Sequence, residues 1–407
     1  MAGAAAAVSP PVEKADATAW IAVAAGALGA MLATLDISIV NSALPTIQGE
    51  IGATGTEGTW IATSFLVAEI IIIPLSAWLE RLLGLRTLLI VAVAAFTAFS
   101  VLCGIATDLT TMIIGRTGQG FMGGALIPTA MTIVAKRLPP SQQPIGMALF
   151  GMTVVLGPVM GPLVGGWLTE NLSWHYAFFV NVPVCALLLA LLFIGLPHEK
   201  PDWVYLREAD WAGIVGMILG LGGLTVVLEE GHREEWFEST LIVQLTLMTI
   251  VGFALLTYGQ LYARKPVLKL RLMLSRQFAS VVVMALALGM VMYGSTYVIP
   301  QFLAIISDYN ALQTGLVIFW MGVPAFLLMP VLPFMIRRIH IRIAVGVGMF
   351  IMALSCFVSI NLTAESGGGV FTESQFLRGI GMILTMMFLN QATVASVAKE
   401  DAGDASG

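Results

Sequence analysis

The chain has 407 residues, of which 58% are hydrophobic and 11% charged, and its mean hydropathy is +0.92. A water-soluble domain carries about 25% charged residues, so most of this surface does not expect water. The net charge of −5 says little by itself, and no nucleic-acid partner is expected; where the charges fall says more.

A polar, Ala- and Pro-rich tail, 1–18, precedes the first long apolar run. No charged n-region or A-x-A-like cleavage site accompanies that run, so it is expected to remain as a span. A helix needs about 20 apolar residues to cross a bilayer. Runs near 19–44, 59–80, 86–107, 111–134, 145–168, 176–196, 211–229, 242–262, 277–302, 314–336, 342–361 and 375–396 predict twelve spans. Turn and charge signals such as "PTIQGEIGATGTEG", "RLPPSQQ" and "EEGHREEWFES" separate them.

These spans orient the charges. With the N-terminus inside, the inner segments hold 16 of the 19 Lys and Arg residues, the outer segments hold Arg233, and Arg116 and Arg378 fall in the first turns of spans. The segment 263–276 alone carries Arg264, Lys265, Lys269, Arg271 and Arg276. This is the bias of the positive-inside rule, and it predicts a cytoplasmic N-terminus.

Polar groups inside the apolar runs are the candidate functional residues, because a charge at the bilayer centre costs about 2.5–3.5 kcal/mol on insertion scales. Asp36 lies deep in the first span, in "LDISIVNSALP". It is either a structural carboxylate paired within the bundle or a group that meets a proton or a cationic substrate. Burial and a neighbouring cation move a carboxyl's proton affinity in opposite directions, so a change of surroundings can switch its state. Asn41, five residues on, is expected to line the same cavity. Glu69 sits halfway along the second span, before Pro74; it either faces a polar seam or shares the proton work. Arg116, near the outer end of the fourth span, is expected to snorkel in part and to form a polar patch with Gln119 on the same helical face.

The fifth span, "GMTVVLGPVMGPLVGGWL", repeats Gly157, Gly161 and Gly165 every four residues, with Pro158 and Pro162 on an adjacent face and Gly166 after the stripe. A smooth glycine stripe predicts a close helix contact, and the prolines each remove a backbone donor. The sharper expectation is a helix whose bend and contact control a pathway. Elsewhere Cys103, Cys185 and Cys356 sit in apolar runs without ligand spacing, and no HExxH cluster, Walker A run, dinucleotide fingerprint or serine elbow occurs. "GQGFMGG", 118–124, lies in an apolar helix and lacks the lysine of a phosphate loop. No enzyme activity, metal or cofactor is expected.

Four stretches carry a family resemblance. "LDISIVNSALP", 35–45, is similar to the first-span signature of major facilitator superfamily exporters of the fourteen-span drug:proton antiporter group, near the EmrB/QacA branch. "RTGQGFMGG", 116–124, resembles their fourth-span arginine motif, "LGPVMGPLVGGWL", 156–168, their fifth-span antiporter motif, and "WHYAFFVNVP", 174–183, the entry to the sixth span, with His175 where arginine is usual. The loop after the second span departs from the pattern G-x-L-x-D-R-x-G-R-R: "AWLERLLGLR", 77–86, has Ala77 for the first glycine and Arg81 in the acidic position, keeps Gly84, ends on Arg86, and offers Glu80 one residue early.

The resemblance implies an all-α polytopic membrane protein of that fold, two helical bundles around a central cavity. It divides the chain into an N-terminal six-helix bundle, 19–196, a linker region, 197–276, with two extra helices (211–229 and 242–262), four helices, 277–396, of a C-terminal bundle lacking its last two spans, and a tail, 397–407. It implies a secondary exporter of small hydrophobic or cationic molecules, including drugs, coupled to proton influx, in contact with membrane lipids in a bacterial inner membrane. The family's Gram-negative members work with a periplasmic adaptor and an outer-membrane channel, an expectation carried over here. Export of a native metabolite, lipid or siderophore, and a non-transporting protein on a carrier fold, are the alternatives.

Overall fold

The computed structural model describes residues 14–263, 266–268, 270–309, 311–328, 331–360, 362–363 and 366–397. The outer parts of both tails, and the expected inner-face cations Arg264, Lys265, Lys269 and Lys399, lie outside the described residues.

The first helix, α1 (Ala17–Glu50), starts on Asp16, whose carboxylate accepts the Ala19 N–H at 2.8 Å. Hydrogen bonds from Thr18 and Ala19 hold the Asp16 carboxyl below its ordinary range. The helix runs past Pro45, where a break had been expected. Proline's fixed φ fits a helix and forfeits one backbone bond; the turns beyond it are anchored by Trp174 Nε1, which donates to Glu50 Oε2 at 2.9 Å.

The next helices are α2 (Gly55–Gly58), α3 (Trp60–Leu83), α4 (Leu85–Gly104), α5 (Leu109–Gly123), α6 (Leu126–Arg137), α7 (Gln143–Asn171), α8 (Tyr176–Phe179) and α9 (Asn181–Gly195). The expected fourth span is therefore two helices meeting at Gly124 and Ala125. The linker region holds α10 (Val204–Arg207), α11 (Trp211–Glu230) and α12 (Thr240–Tyr262). Beyond it come α13 (Arg276–Ile306), α14 (Ala311–Leu328), α15 (Leu332–Arg338), α16 (Ile341–Val358) and α17 (Phe371–Ala395). Among the described residues nine helical segments, α8 and α9 counting as one, are long and apolar enough to cross a membrane. α17 is long enough at 25 residues but more polar, and within α14 the apolar stretch is the shorter Gln313–Leu328.

Helix α1 is the hub of the first group, packing on α6, α7 and α9, while α4 and α5 pack on each other and α3 on α5. α17 gathers α13, α14 and α16, and α7 meets α14 and α17. Lipid tails are as apolar as leucine, so helix association in a membrane relies on close packing and polar contacts. The α11–α12 hairpin shows this. A Cβ on Gly252 would lie 2.7 Å from Gly220 Cα, and one on Gly216 would lie 2.7 Å from Gly252 O. The hairpin docks on α3 through Gly222, which faces Ile71, and through Glu230, which accepts from Thr63 Oγ1 at 3.0 Å and pairs with Arg233 at 2.6 Å.

Candidate functional site

Asp36 faces inward from the middle of α1 and is fully buried. Arg116, 1% exposed on α5, pairs with Asp36 Oδ2 at 2.7 Å. Gln119, one turn on, donates from Nε2 to Asp36 Oδ1 at 3.3 Å and accepts from Arg116 at 3.1 Å. Asn181, the first residue of α9, donates to Asp36 Oδ1 at 2.6 Å and to Ser100 Oγ of α4 at 3.0 Å. Ser100 Oγ in turn donates a hydrogen bond to the Phe178 carbonyl at 2.8 Å. On the α3 side, Arg116 Nε donates to the Ile61 carbonyl at 3.2 Å and the guanidinium lies 4.2 Å from the Phe65 ring centroid. One carboxylate thus receives three donors, and the node ties α1, α3, α4, α5 and α9 together.

The geometry explains how a charge pair survives here. Two desolvated charges need good geometry and further hydrogen bonds to offset their desolvation, and both are present. Arg116 is buried rather than snorkelling to the interface: its carboxylate partner, its ring contact and the Ile61 carbonyl all lie inside the bundle.

The other expected residues are placed differently. Asn41 is exposed on α1, apart from Asp36. Glu69 is 7% exposed on α3 and, among the described residues, has no hydrogen bond or ion pair. It packs where α5 meets α6: a Cβ on Gly124 would lie 3.0 Å from Glu69 Cγ.

The glycine stripe of α7 lies on α1. A Cβ on Gly157 would fall onto Thr34 Oγ1, one on Gly161 onto Ser38 Cβ, and one on Gly165 onto Ser42 Oγ, with Ile39 O at 2.8 Å. The three partners also recur every four residues, so the two helices run parallel with matched small faces. Each hydroxyl bonds a carbonyl of its own helix: Thr34 to Ala30 at 3.1 Å, Ser38 to Thr34 at 3.2 Å and Ser42 to Ile39 at 2.7 Å. Gly166 is buried, and Pro158 and Pro162 are half-buried within the unbroken α7.

The α3–α4 loop departs from its family pattern yet is fastened. Gly84 takes φ +78°, a glycine conformation, and a Cβ there would lie 2.7 Å from Glu199 Cβ. Glu199 Oε2 accepts the Leu85 N–H at 2.7 Å. Arg86 donates to the Leu196 carbonyl at 3.1 Å. Glu80 accepts from Lys136 of α6 at 2.6 Å, so the early acid carries the charge contact. Ala77 is buried and Arg81 half-buried.

The sequence suggests Arg116 with Gln119 and Asp36 with Asn41; the structure instead joins Asp36 to Arg116 and Gln119 and adds Asn181 and Ser100, which the sequence does not single out. Both are uncharged, so neither stands out in an apolar run; Asn181 sat inside the quoted "WHYAFFVNVP". Glu230, at the end of α11, is 2% exposed.

Comparison with known proteins agrees with this architecture. The Major Facilitator Superfamily profile matches residues 26–407. The chain is 32% identical over 390 residues to the colistin resistance protein EmrB of Acinetobacter baumannii, covering 96% of this chain and 76% of that one. It is 32% identical to the fatty acid resistance protein FarB of Neisseria gonorrhoeae, covering 95% and 75%, and 31% identical to the multidrug export protein EmrB of Escherichia coli K12, covering 93% and 74%. Among solved structures, the human organic anion transporter MFSD10 (TETRAN) superposes with TM-score 0.65 at 16% identity, covering 98% of this chain and 89% of that one. The proton:xylose symporter XylE gives 0.62 at 14%, covering 95% and 84%. Both share the fold. With its all-helical build, its buried charge node and a profile match spanning most of its length, the chain belongs to the Major Facilitator Superfamily.

Proposed function

We propose that the chain is a secondary exporter of amphipathic organic compounds, coupled to proton entry by alternating access, in a bacterial inner membrane with its N-terminus cytoplasmic. The observation that carries this is the contrast between two buried carboxylates. Asp36 is held by three donors, and Glu69 has none among the described residues. A coupled carrier needs one acid that gives and takes a proton as its surroundings change, and a framework that registers the change. Asp36 with Arg116 is the framework, and Glu69 is the exchanging acid; this reverses the order in which the sequence suggested them. The relatives named for colistin resistance, fatty acid resistance and multidrug export support varied amphipathic substrates, and an apolar cavity with few polar groups suits loose recognition. A periplasmic adaptor and an outer-membrane channel belong to the same proposal.

The test is flux in proteoliposomes holding the full chain under an imposed pH gradient, with a cationic and a neutral amphiphile. E69Q is expected to fold and bind substrate but to lose gradient-driven flux and the pH dependence of binding. D36N is expected to lower thermal stability and flux together. Full gradient-driven flux in E69Q would remove Glu69 from the role, and wild-type flux indifferent to the gradient would remove proton coupling.

A further inference from the structure

Where α6 turns into α7, beside the start of α1, Lys14, Lys136, Arg137 and the Leu138–Pro140 turn line a cavity of about 490 Å³. Three cations therefore border one space. Lys136 spends one donor on Glu80 at 2.6 Å and remains half exposed. Arg137 makes two long bonds, to Thr18 Oγ1 at 3.3 Å and to the Gly195 carbonyl at 3.4 Å, and its Nε is buried with no acceptor. The nearby acids are occupied: Asp16 accepts from Thr18 and Ala19, Glu80 from Lys136 and Glu199 from Leu85. A buried donor left without an acceptor is costly, and a guanidinium beside two ammonium groups matches a phosphate.

The surroundings say which phosphate. Arg137 reaches Gly195 at the C-terminal end of α9, and the outward side chains along that helix, Leu187, Phe193 and Ile194, are 55%, 54% and 61% exposed, with the Arg86 guanidinium 5.4 Å from the Phe193 ring centroid. In a membrane protein such a strip meets acyl chains. The cationic space thus lies at the foot of a lipid-facing surface, at the end of the bundle where the spans stop. We propose that this cavity binds the phosphate of an anionic phospholipid headgroup, whose acyl chains run along α9. Clusters of basic residues at this level of a membrane protein attract anionic lipids. The proposal rests on the membrane fold and is independent of the substrate and of proton coupling.

The test uses the full chain purified in detergent. Retained lipid is counted by native mass spectrometry, and the thermal midpoint is followed while phosphatidylglycerol, phosphatidylcholine of the same chain length, or inorganic phosphate is added. The wild type is expected to retain phosphatidylglycerol and to gain thermal stability from it, with phosphatidylcholine and inorganic phosphate failing to compete. K14Q is expected to weaken retention about fivefold and K14Q/R137Q about thirtyfold. Because Arg137 also braces Thr18 and Gly195, the exposed K14Q carries the decision if the double variant does not fold. Unchanged retention in K14Q, equal retention of phosphatidylcholine, or displacement by inorganic phosphate would each overturn the proposal.

Discussion

Gly161→Ala is the sharpest perturbation of the α1–α7 contact. The added methyl falls onto Ser38 Cβ, with Ser38 C at 3.0 Å and Ile39 N at 3.1 Å. Ordinary contacts begin near 3.4 Å, so no side-chain rotation relieves the backbone part and the helices must part. Overpacking of this kind costs about 1–3 kcal/mol, against a normal net stability of about 5–15 kcal/mol. Alanine is therefore already disruptive here. Gly151→Ala is the control on the same helix, since its methyl would sit 3.5 Å from Met387 Cγ, an ordinary contact. The assay is thermal unfolding in detergent, with substrate efflux at matched membrane abundance. Gly161→Ala should lower both while Gly151→Ala changes neither, and Ser38→Gly should restore part of the loss by removing one of the clashing atoms. Equal stability and efflux for the two alanine variants would refute the reasoning.

Arg116→Ala leaves the buried Asp36 without its cation, with only Gln119 and Asn181 still donating, a loss of about 3–5 kcal/mol expected to reduce membrane abundance; Arg116→Lys keeps the charge but loses the Ile61 bond and the fork, and should insert normally yet transport poorly. Abundance and flux are read by quantitative blotting and vesicle uptake. Gly84→Ala forces a side chain into φ +78°, a strain of about 1–3 kcal/mol; adding Glu199→Gly removes the clashing Cβ but also the acceptor of the Leu85 N–H, so it should recover only part of the steric loss, as judged by thermal midpoints. A single cysteine at 268, in a background lacking native cysteines, should react with an impermeant thiol reagent only after cells are permeabilised; strong labelling of intact cells would invert the proposed topology.

The sequence made some of these features visible and hid others for physical reasons. Apolar run length points to helices long enough to cross a bilayer, and nine such segments occur among the described residues, yet it could not show that Gly124 divides the fourth expected span or that Pro45 leaves the first helix intact. Charges in apolar runs exposed Asp36, Glu69 and Arg116, since each needs compensation. What compensates them was hidden: Asn181 meets Asp36 across 145 positions of chain, and an asparagine beside apolar residues carries no charge to announce it. The glycine period declared a close contact but not its partner; Thr34, Ser38 and Ser42 look like unremarkable small residues until α7 lies against them.

Helix α1 consequently has two faces of opposite mechanical character. Toward α5 and α9 it is bolted: moving it would tear an ion pair and two directed hydrogen bonds away from Asp36. Toward α7 it is a plain bearing, because the hydroxyls of Thr34, Ser38 and Ser42 are already spent on their own helix and the opposing glycines offer no side chain to catch. Along Thr34–Ser42 the seam holds by shape, and the directed bond between the two helices lies at their starts, where the Ala15 N–H donates to Gln142 Oε1 at 3.1 Å. The contacts of α1 thus divide into two kinds, directed bonds toward α5 and α9 and close small-residue packing toward α7.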